Sequence, residues 1–246
     1  MKIFKRLCIF CLLILLTSAL FAETSSFLSQ EWFINLRDAV YEQRLSSNEV
    51  LSIYTVAKNQ AEIITQDVQK YIMLARCENL MGMAYQKEGI NSEAIAHYER
   101  SEYYAKSALN IQATSDAHYA LAESISLQCD IKGFSYQIAN GMRFVNSANN
   151  AISLNQNNTE ARYLLAAMYA FPNPPFRNLN RAKRTLEEII ENHNEYMSND
   201  VRFNVYYAMG VVFQKQRQPV EARTWFNRAL ILYPTNIDVQ NRLKEI

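Results

Sequence analysis

The spacing of small and aromatic residues near the C-terminal end is the strongest constraint on how this chain can fold. Gly210 and Ala222 are twelve positions apart. Phe213 and Phe226 follow them at three and four positions. Small side chains let two antiparallel helices approach closely, and large rings fill the space beside the contact. Pro234 ends the second helix, because proline cannot continue one. The spacing therefore predicts a helix hairpin.

Two further copies of this hairpin pattern occur earlier in the chain. In the first copy, Ala94 and Tyr98 lie 12 and 16 positions past Gly82, as their counterparts do in the last copy. In the second copy, Ala166 and Ala182 are 16 positions apart, and the four extra residues fall in a proline-rich loop. A pattern that recurs in this way indicates a helical repeat array, in which neighbouring pairs bury each other's apolar faces.

Helical periodicity extends through the rest of the chain, and no linker rich in Gly, Ser or Pro interrupts it. We therefore predict a single repeat domain over residues 23–246. Its expected parts are a divergent N-terminal pair at 28–66, repeats at about 67–110, 113–156, 158–193 and 199–234, and a C-terminal capping helix at 235–246. Glycine and proline number only five each, too few for the many turns of a β-sandwich or barrel.

The hairpin framework resembles the tetratricopeptide (TPR) repeat family. The residues that carry this resemblance in the last copy are Tyr206, Met209, Gly210, Phe213, Ala222, Phe226, Ala229 and Pro234. The resemblance implies an all-α fold of TPR-like antiparallel helix pairs stacked in a right-handed superhelix, an α-solenoid. It also implies that the first helix of each pair lines the concave side and that the protein binds a partner there.

The central stretch 133–180 is similar to a narrower group, the TPR-type T component of tripartite (TRAP) solute-transport systems. The similarity rests on 140–142, 151–155, 166–169 and the Pro174-Pro175 loop. It implies a periplasmic helical protein whose helices line a pore or groove and which associates with a solute-binding protein.

The first 22 residues have the layout of a secretory signal peptide. A basic start, which contains Lys2, Lys5 and Arg6, precedes an apolar run and small residues that end at Ala22. Cleavage is expected after Ala22 or Ala19, and the alternative is an uncleaved membrane anchor. No cysteine follows either cut site, which disfavours a lipoprotein. The sequence thus predicts a periplasmic or secreted protein without a membrane span after cleavage.

Charge and motifs exclude several classes of function. Without the three basic residues of residues 1–22, the chain has 22 basic and 24 acidic side chains, so nothing indicates nucleic-acid binding. The histidines His97, His118 and His193 have no metal-ligand spacing, and no phosphate-binding or nucleophile motif occurs. We predict no enzymatic activity, no cofactor and no metal.

Two cysteines, Cys77 and Cys129, follow the signal-like segment. Each lies on the first helix of a pair, and the predicted register separates them by about 15 Å along the helix axis. A disulfide requires Cα atoms within about 7 Å. We therefore predict two buried free thiols.

The repeat register predicts which residues of each first helix face the concave side. We predict partner or ligand contacts at Arg76, Asn79, Met83, Gln86, His118, Ser124, Gln128, Tyr163, Asn204, Tyr207, Val211 and Gln214. This surface mixes amide, aromatic and apolar groups without a dominant charge. It favours an exported scaffold that binds a protein or peptide partner in the cell envelope, with a solute-binding protein as one candidate. The alternative is a ligand-binding accessory of a TRAP-type transport system.

Overall fold

The computed structural model describes residues 27–172 and 176–246. The predicted signal peptide and the Pro174-Pro175 pair lie outside these residues. Within them the structure is helical and contains no strand. None of the helices there combines the length and apolar character that crossing a membrane requires.

Eleven α-helices and one short 3₁₀ turn make up the described part of the chain. The α-helices are α1 Glu31–Glu42, α2 Ser47–Glu62, α3 Asp67–Lys87, α4 Asn91–Ile111, α5 Ser115–Lys132, α6 Phe134–Leu154, α7 Thr159–Ala170, α8 Leu179–Asn192, α9 Asn199–Lys215, α10 Pro219–Leu232 and α11 Ile237–Lys244.

Short polar side chains fix where several of these helices begin. Ser46 and Glu49 form a reciprocal capping box at the start of α2. Asn158 accepts a hydrogen bond of 2.8 Å from the backbone of Ala161 and so caps α7. Pro219 occupies the first turn of α10, where its missing N–H has no cost. The helix starts are thus determined locally, by residues adjacent to them in the chain.

The helices pack as neighbouring antiparallel pairs, in an α-solenoid-like arrangement. The odd-numbered helices α1, α3, α5, α7 and α9 form an inner layer in which each contacts the next odd-numbered helix. The even-numbered helices pack outside, against the inner helices that precede and follow them in the chain. This arrangement confirms the predicted all-α fold class.

Two close helix contacts explain the repeated small residues. A Cβ atom on Gly210 would lie 2.4 Å from the ring of Phe226, and one on Gly82 would lie 2.4 Å from the ring of Tyr98. Both rings are fully buried. Glycine at these two places therefore lets the outer helix and its ring approach the backbone of the inner helix.

The inner layer closes on itself, because α1 also contacts α9. The ion pair between Arg37 and Asp200 spans 3.3 Å, and the ring of Tyr41 packs edge-on against Phe203 at 5.5 Å. Residues 233–238, at the start of α11, add further hydrogen bonds to the C-terminal end of α1. We call this junction, between α1 and residues 200–238, the seam.

The cysteines of the described residues are both free, as predicted. Cys77 is fully buried, whereas Cys129 keeps some exposed surface. Burial raises the pKa of the Cys129 thiol to about 11, which keeps it protonated and unreactive near neutral pH.

Candidate functional site

A cavity of about 450 Å³ lies between the inner helices, beside the C-terminal ends of α1 and α3. We call it the mouth pocket. All five inner helices and the start of α11 contribute to it. Its lining residues are Val40, Tyr41, Gln43, Met83, Gln86, Lys87, Leu127, Tyr163, Phe203, Asn204, Tyr207, Asn236 and Asp238.

Aromatic rings form much of the wall of the mouth pocket. The rings of Phe203 and Tyr207 are parallel within 3°, with centroids 6.2 Å apart. Tyr41 lies edge-on to Phe203, and Tyr163 is half-buried on the α7 side. Burial raises the pKa of Tyr163 above its ordinary value, so its hydroxyl stays neutral. The wall therefore offers apolar area, π faces and neutral hydroxyl groups.

Amide side chains in and below this wall retain unused hydrogen-bonding capacity. The Asn204 amide donates to the Tyr41 hydroxyl at 2.7 Å, and the oxygen of Gln86 accepts from Tyr98 at 2.6 Å. Asn79 lies one helical turn before Met83 on the same face of α3, and its Oδ1 has no partner although the residue is 1% exposed. A buried acceptor without a donor is costly, but Asn79 is not itself a lining residue of the pocket.

The rim of the pocket is held by hydrogen bonds within the protein. The ammonium group of Lys87 donates to the backbone oxygen of Gln43 at 2.8 Å. The Gln43 amide donates to the Asp238 carboxylate at 2.7 Å. These bonds join α1, α3 and α11 around the opening.

A polar layer lies under the pocket, centred on Arg76. The guanidinium group of Arg76 is sandwiched between the rings of Phe33 and Tyr119, at 5.4 and 5.0 Å from their centroids. It also donates to Glu160 at 2.6 Å. Burial disfavours the charge on Arg76, but its carboxylate neighbours outweigh burial and raise the pKa. The layer is therefore charged and internally paired at this point.

Glu123 belongs to the same layer. Its carboxylate accepts from the Tyr119 hydroxyl at 2.5 Å and from the Asn79 amide at 2.8 Å. Burial raises the pKa of Glu123, although Arg76 and these two donors act in the opposite direction. Glu123 thus brings a second carboxylate to the interior, in addition to that of Glu160, which already neutralises Arg76.

A second cavity of about 600 Å³ is lined by residues from α1 and from the N-terminal turns of α5, α7 and α9. Arg37 and Glu160 line it, together with the asparagines that precede α7. Arg37 pairs with Asp200 and Glu160 with Arg76. The charged groups that line this second cavity are therefore largely paired with other charged groups of the chain.

Five of the twelve predicted contact residues lie in the mouth pocket; they are Met83, Gln86, Tyr163, Asn204 and Tyr207. Arg76 and Asn79 lie in the polar layer below. Val211 is fully buried in the core, and Gln214 bonds to Arg242 and Glu245 of the α11 segment. Two of the four predicted residues on each of α3 and α9 therefore line the pocket, and the binding role of all twelve stays a prediction.

On α5 the structure places the predicted residues away from the pocket. Gln128 is buried and donates to Glu102 of α4 at 2.7 Å. Ser124 bonds to the backbone of its own helix, and His118 is half-buried with a pKa lowered by burial. The pocket face of α5 carries Leu127 instead. The loose spacing in this part of the sequence left the rotation of α5 undetermined.

Several lining residues were missing from the prediction because they come from the seam. Tyr41, Gln43, Asn236 and Asp238 reach the pocket only because α1 meets the C-terminal part of the chain. No local pattern in the sequence signals that contact. In the described part of the chain, no group of three or more His, Cys, Asp or Glu residues is arranged to hold a metal ion.

The fold and the pocket define a helical-repeat protein with a cavity between its inner helices. Residues 33–246 match the family model for Regulator of microtubule dynamics protein 1-3. The match covers most of the chain, which therefore belongs to this family. No curated protein matches it.

The family match corrects the predicted resemblances. The chain is assigned neither to the TPR family nor to the T component of TRAP systems. The physical reason is that close contacts between paired helices require small residues beside large rings in any array of this kind. The spacing around Gly82 and Gly210 therefore predicted the helix-pair architecture correctly, but its resemblance to TPR repeats indicated the wrong family.

The function and localisation predicted from those resemblances are also wrong. A family named for regulation of microtubule dynamics does not support an exported scaffold of the cell envelope, a transport accessory or a periplasmic or secreted protein. The apolar N-terminal segment that suggested export lies outside both the described residues and the family match.

Proposed function

We propose that this chain is a non-enzymatic, protein-binding member of the regulator of microtubule dynamics family. It takes a short segment of a partner protein into the mouth pocket, and it acts on microtubule dynamics through that partner. The observation that carries the proposal is the pocket itself, which is built from all five inner helices and has aromatic walls and unused amide groups.

The size and lining of the pocket suit a few residues of a peptide. A volume of about 450 Å³ falls in the range of pockets for small ligands, which are mostly apolar with a few polar groups. The rings of Phe203 and Tyr207 offer contact area to a side chain. The amides of Gln86 and Asn204 can exchange hydrogen bonds with a peptide backbone. Rigid aromatic groups in a concave site are typical of binding hot spots.

Chemical considerations favour binding over catalysis. A buried acid–base pair, Glu78 with His97, lies on the other side of α3 against α2 and α4, and both residues are at most 5% exposed. The lining residues of the mouth pocket include no Ser, Thr, Cys or His, and the Lys87 and Asp238 side chains there are both hydrogen-bonded to Gln43. A site of this composition is suited to recognition.

Site-specific photocrosslinking tests the proposal. A benzoyl-phenylalanine residue placed at Tyr207 reports on the mouth pocket. The same residue placed at Tyr103, which is 66% exposed on α4, is the matched control. The full chain is irradiated with cell extract that contains assembled microtubules, and crosslinked peptides are identified by mass spectrometry. A synthetic copy of the captured segment is then used as a competitor, and the native chain and the competed chain are compared for their effect on microtubule growth rates.

The expected result is one partner segment that crosslinks at position 207 and not at 103, and that the synthetic copy displaces. Crosslinking at both positions to the same extent, or growth rates that the competitor leaves unchanged, would contradict the proposal.

A further inference from the structure

The charges around the mouth pocket point to a specific class of partner group. We infer that the partner segment places a cationic side chain, arginine or lysine, in the mouth pocket. This inference rests on the proposed function and adds the chemistry of recognition to it.

The pocket-facing side of α5 carries two carboxylates. Glu123, Leu127 and Asp130 are spaced by four and three positions and so share one helix face. Leu127 lines the pocket. Glu123 is one turn below it, in the polar layer, and Asp130 is one turn above it, toward the opening. Neither acid lines the pocket itself, but both flank Leu127 on the helix face that it presents to the pocket, and Asp130 interacts electrostatically with the lining residue Tyr163.

The carboxylate of Asp130 lacks a counter-charge. It makes no hydrogen bond or ion pair within the described residues, although it interacts electrostatically with Tyr98, Cys129 and Tyr163. These neighbours from α4, α5 and α7 are neutral groups at physiological pH. The surrounding protein raises the pKa of Asp130 to about 6 even though the residue retains an exposed surface. A carboxylate in this position is stabilised by a cation that the partner supplies.

The basic residues nearby are already committed to other groups. Lys87, the only basic side chain among the described lining residues, is balanced by the Asp238 carboxylate, since both bond to Gln43 at the rim. Lys132 binds Glu99 at 2.7 Å, and Arg76 is neutralised by Glu160 at 2.6 Å. The carboxylates of Glu123 and Asp130 are left as an excess of negative charge on the pocket side of α5, which attracts a cationic ligand.

The aromatic wall completes the site. Faces of Tyr and Phe rings attract cations, and arginine more often than lysine. The protein already recognises one guanidinium in this way, because Arg76 lies between two rings and against a carboxylate.

A pair of small probes separates charge from shape. Nα-acetyl-arginine amide is compared with Nα-acetyl-citrulline amide, which has nearly the same shape and no charge. Binding to the full chain is followed by NMR, through the ¹³C-labelled methyl group of Met83 in the pocket. We expect a saturable shift with the arginine probe and about tenfold weaker binding of the citrulline probe, as a lost charge-assisted contact predicts.

Two variants locate the charge that is responsible. Asp130→Asn should weaken binding of the arginine probe about threefold to tenfold and leave the citrulline probe unchanged. Glu62→Gln, an exposed substitution on α2 far from the pocket, should change neither. Asp130 is exposed, and its replacement is isosteric, so the variant is expected to fold.

Equal binding of the two probes, or no saturable shift with the arginine probe, would overturn the cation inference. An unchanged affinity in Asp130→Asn would do the same. Photocrosslinking at position 207 judges the proposed function separately. A specific crosslink together with equal probe binding would contradict only the inferred cationic side chain. A failed crosslink would contradict the proposed binding of a partner segment in the mouth pocket.

Discussion

The side-chain oxygen of Gln43 accepts a hydrogen bond of 2.9 Å from the backbone N–H of Ile237, 194 positions later in the chain. Ile237 is the first residue of α11, where backbone N–H groups have no partner within the helix. Gln43 itself has a φ of 55°, which is unusual for a residue other than glycine. A strained residue at the end of one helix thus caps the start of another across the seam.

Two substitutions of Gln43 separate the contribution of the helix cap from that of the backbone strain. Gln43→Ala removes the cap and keeps the strained backbone, so the free energy of unfolding should fall by about 2 kcal/mol. Gln43→Gly removes the cap and relieves the strain, and it should be less destabilising than alanine by about 1 kcal/mol. Urea unfolding measures both, with Gln112→Ala at an exposed position as the control. Equal free energies of unfolding for Gln43→Ala and Gln43→Gly would contradict backbone strain at this position.

The contact between α9 and α10 predicts a large effect from a single methyl group. In Gly210→Ala the new Cβ atom would lie 2.4 Å from the buried ring of Phe226. Forcing the two apart should lower the free energy of unfolding by about 1–3 kcal/mol. The control is Gly141→Ala on α6, where a Cβ atom meets nothing within 4 Å. It should be neutral or slightly stabilising, because alanine favours helix. A melting temperature of Gly210→Ala equal to that of the wild type would contradict this contact.

Glu78 predicts an acid-sensitive step in stability. Its buried carboxylate is bound by Tyr54 at 2.6 Å, His97 at 2.7 Å, Arg100 at 3.0 Å and Lys58 at 3.4 Å. Burial alone would raise its pKa, but these donors outweigh burial and hold the pKa at about 2, below the ordinary 4.5. A lowered carboxyl pKa stabilises the fold above about pH 4.5, and this contribution is lost as the pH falls toward 2.

Glu78→Gln should therefore lower the free energy of unfolding by about 3 kcal/mol at neutral pH. It should also flatten the dependence of stability on pH in the acid range. Chemical unfolding at a series of pH values measures both effects. An acid profile that matches the wild type would show that Glu78 is not the group that titrates.

For Asp130 we predict a pH dependence of stability with the opposite sign. Its pKa of about 6 lies above the ordinary 3.8, so the folded state holds this proton more tightly than the unfolded state does. Stability is then lost as the pH rises from about 4 to about 6. Asp130→Asn should stabilise the free protein at neutral pH, by about 1 kcal/mol after allowance for solvent screening. The gain should disappear in acid. Destabilisation at neutral pH would show that the carboxylate already has a cationic partner.

The local parts of this fold were predictable from the sequence, because they depend on residues close together in the chain. The twelve-residue spacing from Gly82 to Ala94 and from Gly210 to Ala222 encodes a contact inside one hairpin. Ser46 and Asn158 likewise cap the helices that follow them. The twelve-residue spacing predicted the helix pairs, and the repeat register predicted an inner face that includes Met83.

The non-local parts could not be predicted in the same way. Five of the predicted contact residues reach the mouth pocket, but Tyr41, Gln43, Asn236 and Asp238 reach it only because α1 meets the segment around α11. These four residues have no periodicity that distinguishes them from solvated ones. The rotation of α5 was also undetermined, and so Glu123 and Asp130 were missed. A family cannot be read from spacing that any close-packed helix pair requires.

The contact of α1 with α9 has a consequence for how this chain can evolve. An open array of helix pairs tolerates a gained or lost pair, because each pair needs only its neighbours. Here the angular advance per pair must bring the last inner helix back to the first, so the number of pairs is fixed by geometry, as the number of strands is in a closed barrel. Deleting α5 and α6, for example, would leave Arg37 and Asp200 without each other and the interior open to water.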